Sequence, residues 1–200
     1  GNITLTADTT TLAVNANLTT GNATVADVDT TNETAVSGNV TLSAGTSVTG
    51  SGRLITGNAE ISGATQTGTD SATSGNISVT AGTAGASGGI GLSSAGNALT
   101  IGTASRTTAT GTDAATTGNI TLTSRDEINN GTASTALGVT FGAAAGGLTN
   151  TAGTLTATTT QSGGHLFLTA PAALTVGVLD TADASSQTIS ILTTGDTNLT

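Results

Sequence analysis

Aliphatic side chains recur two residues apart along this chain, with a small polar residue between them. Ile3 and Leu5, Val40 and Leu42, Ile77 and Val79, Ile120 and Leu122, and Ile189 and Ile191 all follow this pattern. A period of two is the period of a β-strand, one face turned inward and the other outward. Thr, Val and Ile favour strands, and the Gly, Asn, Ser and Asp between the runs are turn formers. The first twenty residues predict three short strands at 3–6, 12–14 and 17–19, with bends at 8–11 and 15–16. No segment carries the spacing of a helix.

The strand starts repeat. A Gly-Asn pair followed by an aliphatic, a polar and another aliphatic residue begins at Gly1, Gly21, Gly38, Gly57, Gly75 and Gly118. The first five copies are 20, 17, 19 and 18 residues apart, and the last step of 43 reads as two longer turns. Self-similarity at a fixed period marks stacked supersecondary units. The pattern predicts an all-β fold, a parallel β-helix (β-solenoid) of about ten coils of roughly 17–23 residues each. Residues 1–200 read as one continuous segment, with less regular coils and longer loops around 125–163, including bends at 143–147 and 156–161. Gly1, Asn2, Gly21, Asn22, Gly38, Asn39, Gly57, Asn58, Gly75, Asn76, Gly118 and Asn119 are the expected corners. Gly would supply backbone angles closed to other residues, and stacked Asn amides would pair along the coil axis. Asn17-Leu18-Thr19 recurs as Asn198-Leu199-Thr200, so the chain stops in the phase at which it starts. That phase predicts stacking on itself, head to tail, or on flanking repeats of a longer chain. Opening on Gly1, with no leader-like stretch, it reads as a mature product or an excised segment.

Composition tests this reading. Ile, Leu, Val and Phe total only 39 of 200 residues, near the fraction below which chains stay disordered. Disorder also calls for high net charge, whereas this chain carries −9 and places its apolar residues regularly. Thr contributes 49 residues and Gly 29, and only Phe141 and Phe167 are aromatic. With no cysteine there is neither a disulfide nor a thiolate metal site. No apolar run approaches the length of a membrane-spanning helix, so no membrane insertion is expected. Arg53, Arg106 and Arg125 are the only permanent cations, which argues against nucleic acid and against anionic membrane surfaces.

Strings such as GNITLTA, NLTTGNATV and GNITLTS, set among Ala/Thr/Gly-rich spacers, resemble the repeat regions of filamentous-haemagglutinin-like proteins. Those are large bacterial adhesins exported by two-partner or autotransporter routes. The resemblance is strongest at residues 1–80 and 118–124 and weakens over 125–163. It implies a right-handed β-helix, a place on the bacterial cell surface or outside the cell, and an adhesive or scaffolding role towards a host-cell or matrix surface.

Side-chain chemistry is sparse. His165 is the single histidine, and Ser162 is merely close in sequence, which does not make a nucleophile–base pair. Polysaccharide-cleaving β-helices need clustered carboxylates with a base and often aromatic sugar platforms; Lys, Tyr and Trp are all missing. Asp27, Asp29 and Glu33, with Asn32 beside them, form the best oxygen-rich cluster for a hard cation such as calcium, without matching a known calcium-loop spacing. Arg125-Asp126-Glu127 reads as a local charge cluster on a bend. Asn-x-Thr/Ser triplets at Asn2, Asn17, Asn22 and later corners match glycan acceptors but arise automatically from the repeat. Thr4/Thr6 and Thr121/Thr123 suggest an ice-binding hydroxyl array, but a flat face needs the pair on nearly every coil, and Val25, Ser43, Ser62 and Ser78 or their neighbours interrupt it. The sequence thus predicts no enzyme and no resident cofactor, calcium aside. The expectation is an extracellular structural rod, either the shaft of a surface adhesin or an end-to-end filament. The alternatives are a calcium- or glycan-binding adhesive module, an ice-binding protein and a polysaccharide-cleaving β-helix.

Overall fold

The computed structural model describes residues 1–26, 31–63, 68–85, 87–93, 98–107, 113–129, 136–161, 164–170, 174–181 and 188–193. Asp27, Asp29, Ser162, Pro171 and the recurring Asn198-Leu199-Thr200 lie outside the described residues. Those described contain strands and bends, no helix, and only parallel pairings between strands. The chain visits five sheets in turn. Its first passage comprises β1 (Ile3–Ala7), β2 (Leu12–Ala13), β3 (Leu18–Thr19), β4 (Ala23–Ala26) and β5 (Thr34–Val36). The second repeats the order as β6 (Val40–Ala44), β7 (Val48–Gly50), β8 (Leu54–Ile55), β9 (Ala59–Ser62) and β10 (Ser71–Thr73). The third does so as β11 (Ile77–Ala81), β12 (Ile90–Leu92), β13 (Leu99–Ile101), β14 (Ala104–Arg106) and β15 (Ala114–Thr116). The fourth consists of β16 (Ile120–Ser124), β17 (Leu137–Phe141), β18 (Ala144–Ala145) and β19 (Thr149–Thr151), with Ile128 bridging Ile90 and Leu166. Then come β20 (Thr154–Thr159), β21 (Leu166–Ala170), β22 (Thr175–Thr181) and β23 (Ile189–Thr193).

The first sheet orders these strands β1-β6-β11-β16-β20-β22, and the second β2-β7-β12. The third runs β3-β8-β13-β17-β21-β23, the fourth β4-β9-β14-β18 and the fifth β5-β10-β15-β19. The strand alternation read from sequence is therefore present, but the return distance is corrected. Asn39 sits on Asn2 and Asn76 on Asn39, each 37 residues on; Asn119 follows Asn76 by 43, and Thr154 follows Asn119 by 35. Among the described residues the first sheet holds six strands, against the ten or so coils expected. A 17–23-residue repeat is half a circuit, because the first two circuits each contain two Gly-Asn corners, at Gly1 and Gly21 and then at Gly38 and Gly57.

The two halves differ in content. Residues 3–19 form three strands that close over the main aliphatic core, and residues 23–36 form two that close over a smaller one. In the main core, Leu42, Val79, Leu122 and Ala157 stack in register on successive strands of the first sheet and are fully buried. The small core holds Ala35, Ala59, Ile61 and Ala72, with Ala23 and Val25 against it. Only the last return is short: β22 rejoins the first sheet directly after β21, with Val176 beside Leu155. Among the described residues the last strands of the two-stranded half are β18 and β19. Residues 156–161, expected as a bend, belong instead mostly to β20, where Leu155, Ala157 and Thr159 point inward. Outward-facing positions of the first sheet form two ranks: Thr4, Thr41, Ser78, Thr121 and Thr156, then Thr6, Ser43, Thr80, Thr123 and Thr158.

Candidate functional site

Two chemical features stand out: hydrogen-bonded ladders at the corners, and a buried charge cluster in the smaller half. At the corner before the first sheet, the backbone N–H of Asn39 donates to Asn2 Oδ1 at 2.9 Å. Asn76 N–H donates to Asn39 Oδ1 at 2.7 Å, Asn119 N–H to Asn76 Oδ1 at 2.7 Å, and Thr154 N–H to Asn119 Oδ1 at 2.8 Å. The corner before the fourth sheet has the same device, with Asn58 N–H on Asn22 Oδ1 and Thr103 N–H on Asn58 Oδ1, both at 2.9 Å. These side chains tie chiefly amide oxygen to backbone, rather than amide to amide as the stacking argument predicted. One amide-to-amide contact accompanies them, Asn76 Nδ2 to Asn39 Oδ1 at 3.4 Å.

The glycines act by closeness rather than by unusual angles. Positive φ occurs at Gly50, Gly82, Gly85 and Gly146, none of them in the Gly-Asn set. A Cβ placed on Gly38, Gly75 or Gly118 would fall onto the carbonyl oxygen of Gly1, Gly38 or Gly75 respectively. Successive corners approach so closely that only hydrogen fits between them.

Sequence reasoning missed the residue before each glycine. Thr20, Ser37, Thr56, Ser74 and Thr117 are buried hydroxyls. Their oxygens accept the N–H of the glycine one circuit on: Gly57 on Thr20 at 2.9 Å, Gly75 on Ser37 at 2.8 Å, and Gly118 on Ser74 at 3.0 Å. Two of them also donate across the circuit to the other corner, Thr20 to Gly38 O at 2.9 Å and Ser37 to Gly57 O at 2.6 Å. The hydroxyl ladder thus pins the waist between the halves and satisfies groups that would be costly to bury unpaired. Its signal was in plain view, since every Gly-Asn copy after the first is preceded by Ser or Thr.

The charge cluster was also missed. Arg106 occupies a position in β14 that pairs with Ile61 in β9, so a guanidinium replaces an aliphatic rung of the small core. Its Nη2 lies 2.8 Å from Asp70 Oδ2 and its Nε 2.5 Å from Asp113 Oδ2, and the side chains of all three have no solvent exposure. Glu33 N–H donates to Asp70 Oδ1 at 2.9 Å and Asp70 N–H to Asp113 Oδ1 at 3.1 Å, so these acidic positions form a column of their own. Buried charges persist when paired and further hydrogen-bonded, and here Asp70 and Asp113 each pair with Arg106 and accept a backbone N–H. A column at offsets of 37 and 43 becomes visible in the sequence only once the circuit length is known.

Of the calcium candidates, Asp27 and Asp29 lie outside the described residues, and Glu33 is placed among protein donors. Its Oε1 accepts Thr31 Oγ1–H at 2.9 Å, while Asn32 Oδ1 accepts Thr69 N–H at 2.8 Å. Among the described residues, no group of three His, Cys, Asp or Glu side chains is arranged to hold a metal. His165 Nδ1 accepts the N–H of Thr188 at 3.1 Å and its ring stacks on Phe167. Arg125 bonds Gln161 Oε1 at 3.0 Å and Asp126 bonds Gly88 N–H at 2.7 Å, each contact joining neighbouring circuits. Arg106, Asp70 and Asp113, sealed from solvent, are in no position to touch a sugar chain. Comparison with family models, with curated proteins and with solved structures finds no match to this chain.

Proposed function

We propose that the chain is a segment of a right-handed parallel β-solenoid with a structural, non-enzymatic role, a stiff rod exposed at a bacterial cell surface or outside the cell. One observation carries the reading: side-chain oxygens at each corner accept the backbone N–H of the equivalent corner one circuit on, the bonds of a molecule extended by repetition. Backbone pairing across circuits, aliphatic rungs and corner ladders together resist bending, and each circuit is held mainly by its neighbours. The handedness is what the resemblance to filamentous-haemagglutinin-like repeats implies, and the general preference of parallel crossovers is in keeping with it. The adhesin-like strings favour a shaft that carries adhesive loops towards a host-cell or matrix surface.

The rod stacks on units of its own kind, either flanking repeats or a second copy. The edge formed by β1 to β5 favours this. Leu5 is 37% exposed there, and Leu5, Val14 and Leu18 help line a cavity of about 330 Å³ open at that end. Strand edges of this kind are templates for further pairing. Electron microscopy of the purified chain over rising concentration tests both statements. Thin rods are expected, lengthening with concentration where copies stack, with an axial repeat of about 4.8 Å. Rounded particles, or a far-ultraviolet circular dichroism spectrum without β-structure, would overturn the solenoid reading.

A further inference from the structure

We propose that the outer face of the first sheet binds ice, through its two ranks of hydroxyl side chains. The corrected circuit length opens this reading. Of the four residues expected to break the array, Val25 and Ser62 belong to the fourth sheet and face elsewhere, while Ser43 and Ser78 stand within the ranks and keep the hydroxyl but not the methyl of Thr. On the first sheet every outward position of the two ranks, over five consecutive strands, is Thr or Ser, and the register between those strands never shifts. Other faces are broken: Val36 and Ala114 interrupt the fifth sheet, and Glu60 the fourth. The array is bounded as well, since its next places are Val178 and Asp180, beyond a register shift.

The geometry gives a two-dimensional lattice of oxygens. Neighbouring strands set one repeat of about 4.8 Å, and alternate residues along a strand set the other at about 6.6 Å. These repeats are close to those of oxygens exposed on faces of hexagonal ice. Among the described residues none of the ten hydroxyls is engaged by another protein group, and each of the ten side chains is exposed or half-buried. Eight of the ten are Thr, whose branched Cβ fixes the rotamer and places the hydroxyl before binding. No charge lies within the ranks, although the chain carries −9. A bound water contributes little by itself, but many rigidly spaced ones engage together on a crystal face. The proposal rests on strand register and is independent of where the rod is anchored.

The test measures thermal hysteresis, ice-crystal shape and partition into growing ice for the intact chain. Faceted crystals, a hysteresis gap and enrichment in the ice fraction are expected. Thr80→Tyr with Thr121→Tyr, both pointing outward at the centre of the array, should remove more than half of the hysteresis without changing the melting temperature. Thr73→Tyr on the fifth sheet should leave it unchanged. Round crystals and no enrichment with the parent chain would overturn the proposal, as would full activity in the double variant. Retention on crystalline cellulose without ice activity would also overturn it, and rods seen by microscopy would then leave the structural reading standing.

Discussion

At the residue scale, two glycines of the same motif have opposite expectations. Gly75 approaches the backbone of Gly38 so closely that an added methyl has no room, whereas nothing lies within 4 Å of a Cβ on Gly21. Gly75→Ala should therefore destabilise the chain by about 1–3 kcal/mol or more, since the obstacle is backbone and cannot rotate away. Gly21→Ala should stay within about 0.5 kcal/mol of the parent. Urea denaturation followed by circular dichroism compares the two directly, and equal losses would contradict the close-approach account. Arg106 makes a second prediction. Arg106→Met keeps much of the side-chain length but strands Asp70 and Asp113 without their counter-charge in a sealed core. The expected cost is about 3–5 kcal/mol. Arg106→Met combined with Asp70→Asn and Asp113→Asn should recover much of that loss in the same assay.

At the element scale, the informative unit is the corner rather than the strand. Ser37 accepts from Gly75 and donates to Gly57, so it ties one circuit to the next and one half of a circuit to the other. Ser37→Ala should cost about 1–3 kcal/mol by leaving buried backbone groups unpaired. Asn39→Ala, at the outer edge of the same corner, should cost less because water can replace its bond to Asn76. Strand positions were legible in the sequence: Ile3/Leu5 and Val40/Leu42 alternate, and both pairs sit where the alternation put them. Pairing was not. Gly1-Asn2 has equally good local partners at Gly21-Asn22 and Gly38-Asn39, and nothing within five residues distinguishes them. The choice depends on what lies between, three strands in one interval and two in the next. The Arg106 cluster was hidden for the same reason, because Asp70 and Asp113 become neighbours only through the longer circuit. The hydroxyls at Thr20 and Ser37 were legible and were overlooked, as Thr and Ser are common throughout the chain.

At the scale of the whole molecule, stability is a matter of neighbours. Among the described residues, strands of the second and third circuits are paired on both sides, β12 through the Ile90–Ile128 bridge alone on its second side, while β1 to β5 have partners on one side only. In a stack whose units are held chiefly by adjacent units, opening begins where a circuit has one interface instead of two. Hydrogen exchange of the 200-residue chain should therefore be graded rather than uniform. Amides of β6 and β11 should exchange slowest, and those of β1 to β5 faster by about tenfold or more. The same grading bears on stacking. If copies join at the edge formed by the first circuit, its amides gain a second partner, and their exchange should slow as concentration rises while that of β11 stays unchanged. Uniform protection at all concentrations would instead mean that the chain opens only as one cooperative unit. A graded pattern indifferent to concentration would mean that this edge does not pair with another copy.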